Sequence, residues 1–148
     1  MIGGVARILH GSAQATGDSD VLVARDAENL KNLAAALDHL EARLMAGHEV
    51  LAFGADLDRL RMGLNSSWMT RAGQLDTFGE VEGGVRYDEV IENAIEVVTA
   101  AGNRIKIASV EQLLEMKRHL RRPKDVRDME ELEQLKMLHA ELDQDEKK

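Results

Sequence analysis

Thr16-Gly17-Asp18-Ser19-Asp20-Val21-Leu22-Val23, set behind Gly3-Gly4-Val5-Ala6, is the stretch from which the rest of the chain is read. Side chains alternate across a β-strand, so residues two apart share a face. The apolar run after the acidic pair predicts a strand over 18–24, with Asp18 and Asp20 projecting together from its leading edge. Two neighbouring anions repel, and burying them uncompensated is costly. A divalent cation removes the conflict, and hard oxygen ligands suit Mg²⁺, with Mn²⁺ as the alternative. An Asp-x-Asp pair on its own is common among solvated loop carboxylates, so its surroundings decide its meaning.

Upstream, Gly3-Gly4 opens a short helix predicted over 4–9. Glycines let backbone approach phosphate oxygens closely, and a helix start leaves N–H groups free. Gly11, Ser12 and Thr16 make the intervening loop small and polar enough to sit against a ligand. Downstream, a two-metal phosphoryl-transfer site needs a third carboxylate, because one metal must also activate the attacking oxygen. Asp76 is the best candidate. It lies between Leu75 and Phe78 on the return strand of a hairpin predicted from 65–71, Ala72-Gly73 and 74–78. Lys117, Arg118, Arg121, Arg122, Lys124 and Arg127 supply cations that can neutralise a triphosphate and its leaving pyrophosphate.

The remaining elements follow from periodicity and caps. Asp26 is an N-cap candidate, and Leu30, Leu33, Ala34, Leu37, Leu40 and Leu44 recur at helical spacing, predicting a helix over 27–44. Residues 48–53 read as a further strand, and Asp56 and Asp58 as acidic caps at a helix start. A glycine-rich loop over 79–86 leads to a helix near 87–93. Strands over 95–99 and 104–108 flank Ala100-Ala101-Gly102-Asn103 as a second hairpin. Ser109-Val110-Glu111-Gln112 fits a capping box, starting a helix to about Leu120. Pro123 breaks it, a last helix is predicted over 125–142, and the polar tail 143–148 is expected to fray. Trp68 and Met69 read as core or edge packing, and the five histidines show no metal-ligand spacing.

These elements predict one α/β (α+β) domain over 1–148: a small mixed β-sheet flanked by helices (1–108), then a helical pair (109–142). With 148 residues the chain can bury a real core, and 44% hydrophobic with 31% charged residues describes a soluble protein. A net charge of −8 argues against broad affinity for nucleic acid, and no basic recognition helix is present for sequence-specific DNA binding. The absence of cysteine suits a reducing interior. No apolar run reaches the roughly 18–20 residues that span a bilayer, and the start lacks a signal-peptide layout, so a cytoplasmic location is expected.

Taken together, Gly3-Gly4-Val5-Ala6, His10-Gly11 and the Asp18/Asp20 strand resemble the opening motif of the polymerase-β-like nucleotidyltransferase superfamily. Thr70-Arg71-Ala72-Gly73-Gln74-Leu75-Asp76 resembles the strand bearing that family's third carboxylate. The stretch from Ala108 to Lys117, then Arg122-Pro123-Lys124-Asp125 and Asp128, looks like the tail of small bacterial members related to abortive-infection toxins. The resemblance runs from Gly3 to about Leu132. It implies the nucleotidyltransferase fold and transfer of a nucleoside monophosphate from an NTP to an acceptor by a two-metal mechanism. Asp18, Asp20 and Asp76 would hold the metal. Gly3, Gly4, Ser12, Thr16, Lys117, Arg122, Lys124 and Asp125 would face or support the nucleotide. The acceptor could be tRNA, a protein hydroxyl or a small molecule, and a cognate partner protein would make the chain one half of a toxin–antitoxin pair. The chain departs from the pattern at Gln14, where an arginine is usual, and at Ser19, where an apolar residue is usual. Those departures support a rival expectation, an inactive interaction protein built on the same fold.

Overall fold

A computed structural model of the chain describes residues 1–62, 65–120 and 122–145. The acidic strand is β1 (Asp18–Leu22), and it pairs in parallel with the hairpin's return strand, β5 (Gly73–Phe78). Strand β4 (Ser66–Thr70) runs antiparallel to β5 across the Ala72-Gly73 turn. Beyond it lie β2 (Arg43–Ala46) and the two-residue β3 (Glu49–Val50), giving a mixed sheet in the order β1-β5-β4-β2-β3. The second hairpin, β6 (Ile95–Val98) and β7 (Arg104–Ile107), forms a separate two-stranded sheet. Residues 1–2 bridge the two sheets: Ile2 N–H donates to the Asp20 carbonyl, and Ala108 N–H donates to the Met1 carbonyl.

Among the described residues there are six helices: α1 (Gly3–Leu9), α2 (Ala27–His39), α3 (Leu57–Arg61), α4 (Tyr87–Ile91), α5 (Val110–Arg118) and α6 (Pro123–Asp145). None is long and apolar enough to cross a membrane. The caps read from sequence are in place: Asp26 accepts from Asn29 N–H, Asp56 from Arg59 N–H, and Ser109 forms a capping box with Gln112. Alternation along the strands divides the core in two. Val21, Val23, Leu75 and Trp68 pack with Leu30 and Leu37 of α2 and Leu60 of α3. Leu22 and Phe78 face the other way, toward Ala6 of α1, Leu113, Leu114 and Met116 of α5, and Leu132 of α6. Asp20 and Asp76 sit two residues before Leu22 and Phe78, so their strand phase directs them to this second face, beneath α1, α5 and α6.

The structure differs from the sequence reading at three boundaries. Helix α2 stops at His39 rather than Leu44, and Glu41 turns the chain with a φ of 54°. The leucines at 40 and 44 fit helical spacing, but Leu44 lies opposite Trp68 in the β2–β4 ladder, and pairing along that sheet overrides local periodicity. The strand expected over 48–53 reduces to Glu49–Val50, with further ladder bonds from Leu51 N–H to the Leu44 carbonyl and from Leu44 N–H to the Phe53 carbonyl. The last helix begins at Pro123, where proline tolerates a first helical turn, and continues to Asp145. Three residues of the expected frayed tail are therefore helical, and 146–148 lie outside the described residues.

Trp68 is fully buried, and its indole N–H donates to Thr77 Oγ1 at 3.0 Å. Thr77→Val keeps the shape and strands that donor, so it is expected to destabilise the fold by about 1–3 kcal/mol. In a Trp68→Phe background the same Thr77→Val change should cost less, because no indole N–H is left to strand. Urea unfolding midpoints of the single and double variants check this.

Candidate metal centre and cation-lined cleft

Parallel pairing places Asp20 of β1 directly opposite Asp76 of β5, and Asp18 shares the face of Asp20. Asp18, Asp20 and Asp76 each present a carboxylate oxygen, and these oxygens lie within 4.8 Å of one another. Their hydrogen-bond donors are neutral. Thr16 Oγ1 donates to Asp18 at 2.7 Å, Gln74 Nε2 to Asp76 at 3.3 Å, and the Gly4 amide to Asp20. Among the described residues, no ammonium or guanidinium forms an ion pair with any of the three. Half-buried oxygen donors with uncompensated charge are the donor set a hard divalent cation takes, so this triad could hold a metal ion.

Burial and repulsion together have a titration signature. Burial, then the charges of Asp18 and Asp76, push the Asp20 carboxyl up from 3.8 to about 6. The Gly4 amide and the charge of Lys117 pull it down, but by less. The two glycines are required here by space as well as by backbone freedom. Gly3 has a φ of 63°, and a Cβ on it would overlap the Asp20 carboxylate. A Cβ on Gly4 would come within 2.5 Å of Thr16 Oγ1. Their closeness thus serves Asp20 and Thr16 in this structure, and the Gly4 amide read from sequence as a phosphate donor is engaged by Asp20.

Facing the triad is the junction of α5 and α6. Lys117 Nζ donates to Asp128 at 2.6 Å and to Asp125 at 3.0 Å. Arg122 Nε donates to Asp125 at 2.7 Å. Burial pushes the Asp125 carboxyl up, but the hydrogen bonds and charges of Arg122 and Lys117 outweigh it and hold the group below the usual carboxylate range. The same Asp125 hydrogen bond raises the Arg122 guanidinium above its ordinary value. A cleft of about 410 Å³ separates the two charge centres. It is lined by Gly3, Gly4, Thr16, Asp18, Asp20, Asp76, Lys117, Arg122 and Lys124.

Of the residues read from sequence, Gly11, Ser12, Arg118, Asp125 and Arg127 lie off the cleft lining, and Arg118 pairs with Glu115 instead. Asp125 is fully buried behind Lys117 and Arg122. Ser12 is buried against α6, where its hydroxyl donates to Glu131 at 2.7 Å. Arg121 lies outside the described residues. His10 is buried too, its Nε2–H donating to the Ala108 carbonyl at 2.8 Å. Two charged lining residues, Arg7 and Glu82, lie outside those singled out from sequence. Glu82 sits in a loop whose path the sequence leaves open. Arg7 carried one signal, a cation between Ala6 and Ile8 in a short helix with an apolar side.

No protein-family model matches this chain, and no curated protein matches it.

Because the folded chain raises the Asp20 pKa, folding favours the protonated form. That contribution is fully present below pH 3.8 and is lost as pH rises to about 6. Asp20→Asn keeps the acceptor for Gly4 and removes the charge. In the presence of a chelator the variant should therefore melt higher than wild type at neutral pH, with a shift of roughly 2–4 °C for each kcal/mol relieved. The gap should close as pH falls through about 6 toward 3.8. Added Mg²⁺ or Mn²⁺ should raise the melting temperature of wild type at neutral pH and leave Asp20→Asn almost unmoved. Thermal melts across pH, with and without metal, check both.

Proposed function

We propose that the chain is a nucleotidyltransferase with the fold and two-metal chemistry of the polymerase-β-like superfamily, transferring a nucleoside monophosphate from an NTP to an acceptor. The observation that carries this reading is the convergence of Asp18, Asp20 and Asp76 on one face of the sheet, across a cleft from Lys117, Arg122 and Lys124. The order of the motifs along the chain, glycines, Asp-x-Asp, single Asp, then helix lysine, supports it.

In this reading Asp18, Asp20 and Asp76 would hold the Mg²⁺ ions (or Mn²⁺), Asp76 the one that lowers the pKa of the acceptor hydroxyl. Bound divalent ions supply Lewis-acid neutralisation of phosphate charge and a lowered pKa for the acceptor hydroxyl. Lys117, Arg122 and Lys124 place positive charge along the triphosphate and the leaving pyrophosphate. The acceptor oxygen forms a bond to the α-phosphorus as the bond to the bridging oxygen breaks, and pyrophosphate leaves with that electron pair. Gly3 and Gly4 keep the entrance to the triad free of side chains, and Thr16 fixes the Asp18 carboxylate.

A second reading keeps the fold and drops the turnover. It is favoured by the internal engagement of groups a nucleotide would use: the Gly4 amide by Asp20, Ser12 by Glu131, and Lys117 by Asp125 and Asp128. Such a module would bind a partner chain, and titration calorimetry with Mg²⁺ and each NTP would register little heat.

Incubation with each α-labelled NTP, Mg²⁺ and total cell lysate is expected to label one class of acceptor, be it tRNA, protein or small molecule. Labelling should fall to background with Asp18→Ala or Asp20→Ala while the circular dichroism spectrum is retained. Equal labelling by wild type and both variants overturns the enzyme. Copurification of the chain with a small companion protein would extend the reading to a toxin–antitoxin pair.

A further inference from the structure

Arg7 is among the most buried charged residues of those described, at 7% exposure, on α1 one turn after Gly3-Gly4. Its Nη1 donates to Asp128 Oδ1 at 2.6 Å and to Glu131 Oε2 at 3.0 Å. The other oxygen of Asp128 accepts from Lys117 Nζ at 2.6 Å, and the other oxygen of Glu131 accepts from Ser12. Asp125 repeats the arrangement between Lys117 and Arg122. Helix α6 thus offers carboxylates at 125, 128 and 131, each shared by two donors drawn from α1, its following loop, α5 and Arg122.

Lysine carries its charge on a flexible stem with freely rotating donors, so a fixed ammonium needs fixed acceptors. Asp128 is one of only two acceptors Lys117 has among the described residues, and Arg7 holds the opposite oxygen of that carboxylate. Arg7 also sets the local charge. With it, the cations Arg7, Lys117 and Arg122 balance Asp125, Asp128 and Glu131. Without it, the row has an excess negative charge facing a triad that is already anionic. Arg7 lines the cleft itself, and its buried Nε has no hydrogen-bond partner, so its burial answers to its terminal nitrogen's two ion pairs.

We infer that Arg7 is a positioning residue of the cleft, which acts through Asp128 to hold the Lys117 ammonium where a bound NTP presents its phosphates. The inference rests on the nucleotide reading of the cleft given above. It adds a residue outside the motifs that carry the resemblance, and it gives α1 a part in setting the lysine's place.

The test is a pair of affinities measured on the same variants: Mn²⁺ at the triad by electron paramagnetic resonance, and each Mg²⁺–NTP by titration calorimetry. Arg7→Met strands Glu131 and could fail to fold, so Arg7→Met/Glu131→Met removes both ends of that pair. The double variant is expected to bind Mn²⁺ as wild type does and to lose about tenfold or more in NTP affinity, the scale seen when an orienting partner is removed. Glu131→Met alone leaves Arg7 on Asp128 and should stay within about twofold of wild type, while Arg7→Lys, which restores the charge but not the rigid guanidinium, should recover only part of the loss. Equal NTP affinity in wild type and the folded double variant overturns the inference alone. A wild type that binds Mn²⁺ but no NTP overturns the nucleotide reading, and the inference with it.

Discussion

Mutual repulsion among Asp18, Asp20 and Asp76 is the constraint around which the surrounding structure is arranged. Parallel pairing of β1 with β5 brings Asp20 and Asp76 opposite each other, and the pleat adds Asp18 to the same face. A one-residue slip in this register would send Asp76 to the α2–α3 side and Leu75 into the cleft. The alternating apolar residues oppose that slip, since Val21, Val23 and Leu75 are packed on one face and Leu22 and Phe78 on the other. Hydrophobic alternation therefore fixes the register, and the register forces three anions together. Burial first, and then this crowding, raises the Asp20 carboxyl above its ordinary value.

The C-terminal helices answer that negative charge without touching it. Lys117, Arg122 and Arg7 are paired with α6 carboxylates, so the cation side of the cleft is close to neutral in itself. Buried ion pairs of this kind contribute little net stability, because desolvation offsets most of the attraction. Their effect is geometric. Each carboxylate is held from two sides, so a displacement of α1, α5 or α6 is felt by all three. The cleft then sits between a charge cluster that resists closing and a network that resists opening.

Much of this could be read from the residues, and the misses have physical causes. Elements with a local signature were legible: the caps at Asp26, Asp56 and Ser109, the Ala72-Gly73 turn, and the alternation in β1. The end of α2 was not, because Leu40 and Leu44 satisfy helical spacing while Leu44 is claimed by a sheet neighbour at Trp68. Asp76 was found by chemical need, since its hairpin is local but its pairing with β1 spans more than fifty residues. Ser12 was misplaced for the opposite reason: a small polar loop residue looks free until a helix 119 residues away supplies Glu131. Arg7 went unnoticed because its partners lie 121 and 124 residues further on.

The same distance separates the two halves of the cleft in sequence and joins them in the fold. Leu22 and Ala6 pack in one cluster with Leu113, Met116 and Leu132, so the strand bearing the acids and the helices bearing the cations share one apolar core. Apolar burial of this extent is worth far more than any single ion pair in the cleft. The core therefore fixes the separation of the charge clusters, and the ion pairs adjust orientation within it. This division explains how the chain keeps three carboxylates close: their repulsion is local and partly relieved by Gly4, Thr16 and Gln74, while the packing that imposes it lies one layer below. A site assembled this way is preorganised by its hydrophobic neighbours, with its charges left to meet a ligand of opposite sign.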